Sequence, residues 1–442
     1  MTAQTTPPQI PQTSQTPQTP QRDLPRKRLL RAKDLWDAYG SSELTGGFLE
    51  VDDIGRRLSA MVDAGQLLRV QRGVYIEPSI WLQTAPWERH LIVAAAVNLQ
   101  SPSTRFCRTT ALAMHGFGLL RPPEAVTVRT ARNDAVGLHP GTALTGRASA
   151  SAIQRLLQAH PEAHPEAHDG GAPSPAALRA LGTRRHQYPR AFRDQLREGL
   201  GQEWDKPYQD ALVRQRFPIP ESLPAALVAG MWTWLEPIGL VLADTVPRMS
   251  FAEAVAVLDA YRAGRFGAQA EPGGALSAVE PWLSLVASAR GRERWKVAWE
   301  FSEAGAESVG ESWARVRIAE LGFTAPELQR RFLLPHGVTC RTDFYWEDPG
   351  IVGEFDGLQK YRASMTLSGL HPAQAVIAEK EREDGLRSLG VRVVRFTWAD
   401  LQDSTRLQRL LSNAGVPRSA RSTGAHVFYR DNRRAGRPRR AR

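Results

Sequence analysis

Apolar residues along this chain change period several times, and each change marks an element. Residues 1–22 are Thr, Pro and Gln with almost nothing apolar, too little to offset the entropy of ordering, and 1–28 reads as a disordered tail. A short helix is expected over Arg31–Tyr39. A second is expected over Val51–Ala64, with Ile54, Leu58, Met61 and Val62 on one face, Asp52 or Asp53 as cap and Gly65 as stop. Leu67 to Ile76 reads as a hairpin-like pair of short strands, Glu88 to Leu99 as a helix, and 126–150 as short strands and turns. The repeat HPEAHPEAHDGGAPSP (160–175) spaces His160, His164 and His168 four apart, as metal ligands on a helix face would be. Its repeated Pro breaks such a helix, so 158–178 reads as a flexible insertion. Residues 224–265 read as helical. A Gly-rich break, Ala268 to Gly274, separates them from helices over Trp282–Ala289 and Trp295–Phe301.

Beyond residue 305 the pattern becomes that of a compact α/β unit. Ser308 or Gly310 opens a helix carrying Trp313, Val316 and Ala319 at helical spacing, and Gly322 stops it. After PELQRRF (326–332) comes a β-hairpin: Phe344-Tyr345-Trp346, a turn at Asp348-Pro349-Gly350, then Ile351 to Phe355. A charged helix over His371–Leu389 and a strand over Val391–Phe396 complete a unit with a small mixed sheet. On the hairpin, Glu354 and Asp356 stand two apart, so a strand points both to one face, and Asp343 sits on the other arm. Three carboxylates brought together there, with Lys360 following, suit a hard divalent cation, Mg²⁺ or Mn²⁺.

Composition narrows the class. An apolar fraction of 42% and a charged fraction of 23% are those of an ordinary globular protein. Of the net charge of +11, most lies from Arg418 onward, where nine arginines face only Asp431, so 414–442 reads as a basic disordered tail. Two cysteines, Cys107 and Cys340, exclude a disulfide framework and show no metal spacing, which suits a reducing compartment. No signal peptide is indicated. The longest apolar stretch, Ala225 to Leu242, contains Glu236-Pro237 and reads as buried helix rather than membrane span. The expected location is cytoplasmic, with no membrane partner.

The positive charge suggests DNA. Helices followed by a basic hairpin have the order of a winged helix-turn-helix over 29–80, in which Arg56 and Arg57 on the helix and Arg69 and Arg72 on the wing approach DNA. The tail's Gly436-Arg437-Pro438-Arg439 resembles an AT-hook core, which lays Arg437 and Arg439 in a narrow minor groove.

Two longer resemblances extend this. GQLLRVQRGVYI, the helix 88–99 and RTTALAMHGFGLL (108–120) resemble AbiEi-type antitoxins of type IV toxin–antitoxin systems, which implies a winged helix followed by an antitoxin-like α/β domain, here 81–267. ESWARVRIAELG, PELQ, TDFYW, VGEFDG-LQKY, AEKEREDGLRSLG and VRVVRFTWADL resemble, in order, the very-short-patch-repair-endonuclease-like PD-(D/E)XK domains of actinobacterial proteins, here 280–413. That resemblance implies Mg²⁺ held by Asp343, Glu354 and the carbonyl of Phe355, with Glu311 approaching from the helix. It also implies Lys380 and Arg382 beside the phosphate backbone. The family formula has Lys two residues after the Glu. Here that position is Asp356, leaving Lys360 as candidate cation. The expectation is a multidomain α/β, DNA-binding, Mg²⁺-dependent endonuclease. The alternative is an antitoxin-like regulator whose nuclease-like domain is inactive. A homodimer and a cognate toxin are partners the sequence leaves open.

Overall fold

The computed structural model describes residues 30–31, 51–130, 132–145, 180–190, 193–194, 213–216, 232–266, 273–335, 337–357, 372–419 and 423–429. The expected tail 1–28, the insertion 158–178, Lys360, Arg437 and Arg439 lie outside these residues. So does the expected helix Arg31–Tyr39, except Arg31. Leu30–Arg31 is a strand, β1, paired antiparallel with Tyr75 and Val74, so the chain is extended at Arg31 and not yet helical.

Helix α1 (Val51–Asp63) buries Leu58 and Val62 against Leu67 and Tyr75. Asp52 and Asp53 fall inside its first turn rather than ahead of it. Gly65 follows at φ 75°, the left-handed stop that glycine adopts without strain. Strands β2 (Leu68–Gln71) and β3 (Val74–Ile76) form the hairpin, turning at Gly73 with φ 73°, and the sheet order is β1-β3-β2. The hairpin is joined to the next layer: Arg69 N–H donates to the Leu144 carbonyl (2.8 Å), and Thr142 donates back to the Arg69 carbonyl (3.3 Å).

That layer follows α2 (Pro78–Gln83) and α3 (Pro86–Gln100), a helix buried from His90 through Ala96 because it is apolar on nearly every face. Then come β4 (Arg105–Phe106), α4 (Arg108–Met114), β5 (Ala125–Arg129), β6 (Gly137–His139), β7 (Gly182–His186), β8 (Val213–Arg216) and β9 (Trp232–Leu235). They make a six-stranded mixed sheet in the order β6-β7-β5-β4-β9-β8. Strand β9 corrects the all-helical reading of 224–265. Trp232-Thr233-Trp234-Leu235 is aromatic and β-branched, pairs with both β4 and β8, and is followed by Pro237, which caps the next helix.

Helices α5 (Ile238–Thr245), α6 (Phe251–Arg262), α7 (Glu280–Val286) and α8 (Ala289–Phe301) share one core around Leu240, Phe251, Leu258, Leu283 and Trp295. Ser250 caps α6 with Glu253 in a capping box. Residues 280–301 share this core with the helices before them, and Val316 of the following helix joins it. The hairpin unit consists of α9 (Val309–Glu320), β10 (Glu327–Leu333), β11 (Thr339–Trp346), β12 (Ile351–Asp356), α10 (Pro372–Ser388), β13 (Arg392–Thr397), α11 (Trp398–Gln402) and α12 (Ser404–Ala414). Its sheet order is β10-β11-β12-β13, antiparallel except for β12 beside β13, the parallel crossover made by α10.

Part of the expected C-terminal tail is folded as well. Phe323 bridges to Arg418, and α13 (His426–Tyr429) puts Val427 and Phe428 into the helical core, where Arg294 donates to both their carbonyls (3.3 and 3.0 Å). Among the described residues no helix is long and apolar enough to cross a membrane.

Candidate active site

The hairpin's core residues are apolar for a reason of position. Phe344, Trp346, Ile351 and Phe355 face α9, which lies against them with Ala314 and Ile318, while Val352 faces α10 and Leu386. Gly310 is required on α9, since a Cβ there would lie 2.0 Å from the Phe355 ring. Alternation along β12 then sends Glu354 and Asp356 to the α10 side with Val352.

On that side the charged residues form one network. Arg382 of α10 donates to Glu354 (3.1 Å) and to Glu379 (3.0 Å). Arg395 of β13, directly opposite Glu354 in the parallel register, pairs with Asp356 (3.3 Å), with Glu383 (3.2 Å) and with Glu379. Burial works against the charge on Arg382 and Arg395, but the carboxylates outweigh it and raise both above the ordinary arginine value. Burial likewise opposes the charge on Glu379, and the two guanidiniums outweigh it and lower its pKa. Arg387 takes the other oxygen of Glu383 (2.5 Å), so among the described residues four carboxylates share three guanidiniums, a surplus of one negative charge.

Asp343 stands beside it. The β11–β12 register pairs Phe344 with Gly353, and continuing it by one residue sets Asp343 against Glu354. Asp343 is 8% exposed and its Oδ2 accepts the Phe355 N–H at 2.9 Å, so its carboxylate adjoins the Glu354–Phe355 peptide. The contact that Phe355 makes here is through its N–H, and its ring is buried beside Phe396 and Trp398.

Glu311 reaches the neighbourhood by a different route. It is the third residue of α9, and it accepts from the Ser308 hydroxyl (2.8 Å), the Glu307 N–H (2.8 Å) and Gln329 Nε2 (3.0 Å). Gln329 has φ 56°, a left-handed conformation uncommon for a side-chain-bearing residue. The β10–β11 ladder runs through Leu328–Phe344 and Arg330–Thr342 and omits the Gln329–Asp343 step between them. The interruption frees Gln329 to turn its amide to Glu311 while lying level with Asp343.

The remaining candidates are spread out. Lys380 is exposed, on the outer side of α10. Arg56 and Arg72 are exposed, and the Arg57 side chain lies outside the described residues. Arg69 is half-buried, donating to Ser59 (3.3 Å) and lying over the Tyr75 ring. Sequence reasoning missed Arg395, Glu379 and Glu383 as members of the network. One signal was present: 379, 382 and 383 share a helix face at i, i+3, i+4 spacing.

The opposite side of β12 borders a cleft of about 870 Å³, lined by Trp87, Phe117, Val309, Gly310, Phe355 and Trp398, and mostly apolar. The hairpin carboxylates do not line it. Among the described residues no group of three or more His, Cys, Asp or Glu is arranged to hold a metal ion. Searches against protein-family models, curated proteins and solved structures found no match for this chain.

Proposed function

We propose that this chain is a DNA-binding protein whose C-terminal α/β unit is a Mg²⁺- or Mn²⁺-dependent endonuclease hydrolysing phosphodiesters. The observation that carries the reading is that Asp343, on the strand adjacent to Glu354, accepts the N–H of the next residue, Phe355, beside a network in which, among the described residues, carboxylates outnumber guanidiniums. The donor set fits a hard cation in a two-carboxylate form, because Mg²⁺ keeps several of its waters. Asp343 and Glu354 would hold it, and the bound ion would polarise the phosphodiester and acidify a water. Glu311, fixed by three donors, would act on the site through Gln329 rather than as a ligand. Asp356 stands where the resemblance expects lysine. Its partner Arg395 brings a fixed guanidinium to that position from the neighbouring strand, able to face developing negative charge as the lysine would. Exposed Arg56 and Arg72 and the arginines of the tail would attract the phosphate backbone.

A second reading has its own observation. Glu354 and Asp356 are already paired with guanidiniums, as expected of a regulator that keeps the unit as scaffold. The purified chain separates the two when incubated with plasmid, single-stranded DNA and RNA in Mg²⁺ or Mn²⁺, beside Asp343→Asn and Glu354→Gln. Metal-dependent cutting lost in both variants is the expected result. Binding without cutting on every substrate returns the chain to the regulator class.

A further inference from the structure

A second ionic cluster lies where the six-stranded sheet meets the helical core. Arg129, with 1% of its side chain exposed, forks onto Glu236 (2.6 and 3.0 Å) and reaches Asp244 at 2.8 Å. Asp244, fully buried on α5, also takes Arg108 Nε at 3.0 Å and, on its other oxygen, Arg248 at 3.2 Å. Among the described residues, three guanidiniums therefore meet two carboxylates. Arg129 and both acids are sealed in, so the excess positive charge sits on Arg108 and Arg248, whose side chains are 19% and 43% exposed. An unbalanced charge at the edge of a buried network is costly until an anion meets it.

Two features distinguish the edge from a closed structural network. Arg108 has φ 48°, a backbone position that glycine occupies freely and an L-residue holds under strain. A residue kept there despite strain points to the use of its side chain. In addition, Arg108 Nη1 lies 2.9 Å from Nδ1 and 3.1 Å from Nε2 of His186. An in-plane hydrogen bond reaches one ring nitrogen only, so near-equal distances put the guanidinium over the imidazole face. Among the described residues nothing else meets the in-plane nitrogens of His186. Burial first, then Arg108 and Arg129, hold this imidazole down to about 4, so at neutral pH it adds no charge of its own.

We infer that Arg108, Arg248 and His186 form a binding site for a phosphate group, with the two guanidiniums donating from different elements and the imidazole adding its N–H. Guanidinium forks match the several acceptor oxygens and double charge of a phosphate better than a single-point cation would. The phosphate can belong to a nucleic-acid backbone or to a small phosphorylated molecule. The site is independent of the metal reading, and Asp343→Asn should leave it unchanged.

The test uses the full chain. Its melting temperature is followed in inorganic phosphate against chloride at equal ionic strength, for wild type, Arg108→Gly and Arg248→Gln. Arg108→Gly removes the guanidinium while suiting the backbone. Arg248→Gln changes a half-exposed side chain and protects against failure of the first variant to fold. Phosphate should raise the wild-type melting temperature in a concentration-dependent way, and apparent affinity should fall roughly tenfold or more in each variant. Fluorescence anisotropy with a DNA duplex then identifies the source. Weaker binding in both variants, with the salt slope reduced by about one per arginine, assigns the phosphate to the nucleic-acid backbone. Unchanged DNA binding with a lost phosphate response assigns it to a small molecule. A wild type no more stabilised by phosphate than by chloride, or variants that respond as wild type does, overturns the site.

Discussion

Replacing Asp259 by Ala tests whether the helical core and the hairpin unit form one folded body. The Asp259 side chain is 1% exposed. Its Oδ2 accepts from Arg315 of α9 at 2.7 Å, and its Oδ1 accepts the Glu303 N–H at 2.6 Å. Arg315 is 9% exposed, and its other partners are the Phe301 carbonyl (2.9 Å), the Phe301 ring and the solvated Glu303 at 3.6 Å. Removing the carboxylate leaves a buried guanidinium without its close counter-charge, which costs about 3–5 kcal/mol, against roughly 0–1 for an exposed pair. The orphaned Glu303 N–H adds about 1 kcal/mol. At roughly 2–4 °C per kcal/mol for a body of 150–250 residues, the melting temperature should fall by about 8–24 °C. The same helix α9 carries Glu311 at its start, so loosening it should also loosen the hold on Gln329. Asp259→Leu combined with Arg315→Met should recover much of the loss, because a packed apolar pair replaces a buried ionic one at little cost. Scanning calorimetry reads both the temperature and the number of transitions. A loss below about 1 kcal/mol for Asp259→Ala, or a double variant no better than the single, would refute the idea that this pair is the clamp.

Acid should destabilise the chain through His90. Its ring is buried against Thr110 (3.0 Å) and burial holds it down to about 3, below its unfolded value near 6.5. Its contribution is therefore complete above pH 6.5 and is lost as pH falls toward 3, at about 1.4 kcal/mol per pH unit. His90→Gln should flatten urea-derived stability over pH 6.5–4.5, and an unchanged slope would rule out the buried neutral ring as its cause. Gly310→Ala should cost about 1–3 kcal/mol, because its Cβ would meet the Phe355 ring at 2.0 Å, and Phe355→Leu should relieve part of that in chemical denaturation. Phe428→Ala should cost about 3 kcal/mol, since the ring packs on Phe251 at 5.2 Å and under Arg294 at 5.3 Å. Limited proteolysis of that variant should release the C-terminal segment, and a wild-type digestion pattern would show that α13 is not anchored through this ring.

Much of the fold was legible because it is local. The apolar face of α1, the stop at Gly65, the cap at Ser308 and the turn closing at Gly350 each follow from helical period or from a backbone angle that few residues tolerate. The hairpin carboxylates were legible as well, since alternation along a strand puts Glu354 and Asp356 on one face. The strand Trp232–Leu235 was not, because an apolar run reads as buried helix until β4 and β8 are known to flank it. Nor was the grouping of residues 280–301 with the helices before them, which depends on where their apolar faces find cover. The same limit applies to charge. The sequence by itself determined which residues carry it and which face of their own element they occupy. Only the tertiary structure decided that Arg382 and Arg395 neutralise Glu354 and Asp356, and that Arg108, Arg129 and Arg248 converge on Asp244. Those partners come from elements far apart in the chain, and burial makes each charge depend on the ones brought beside it.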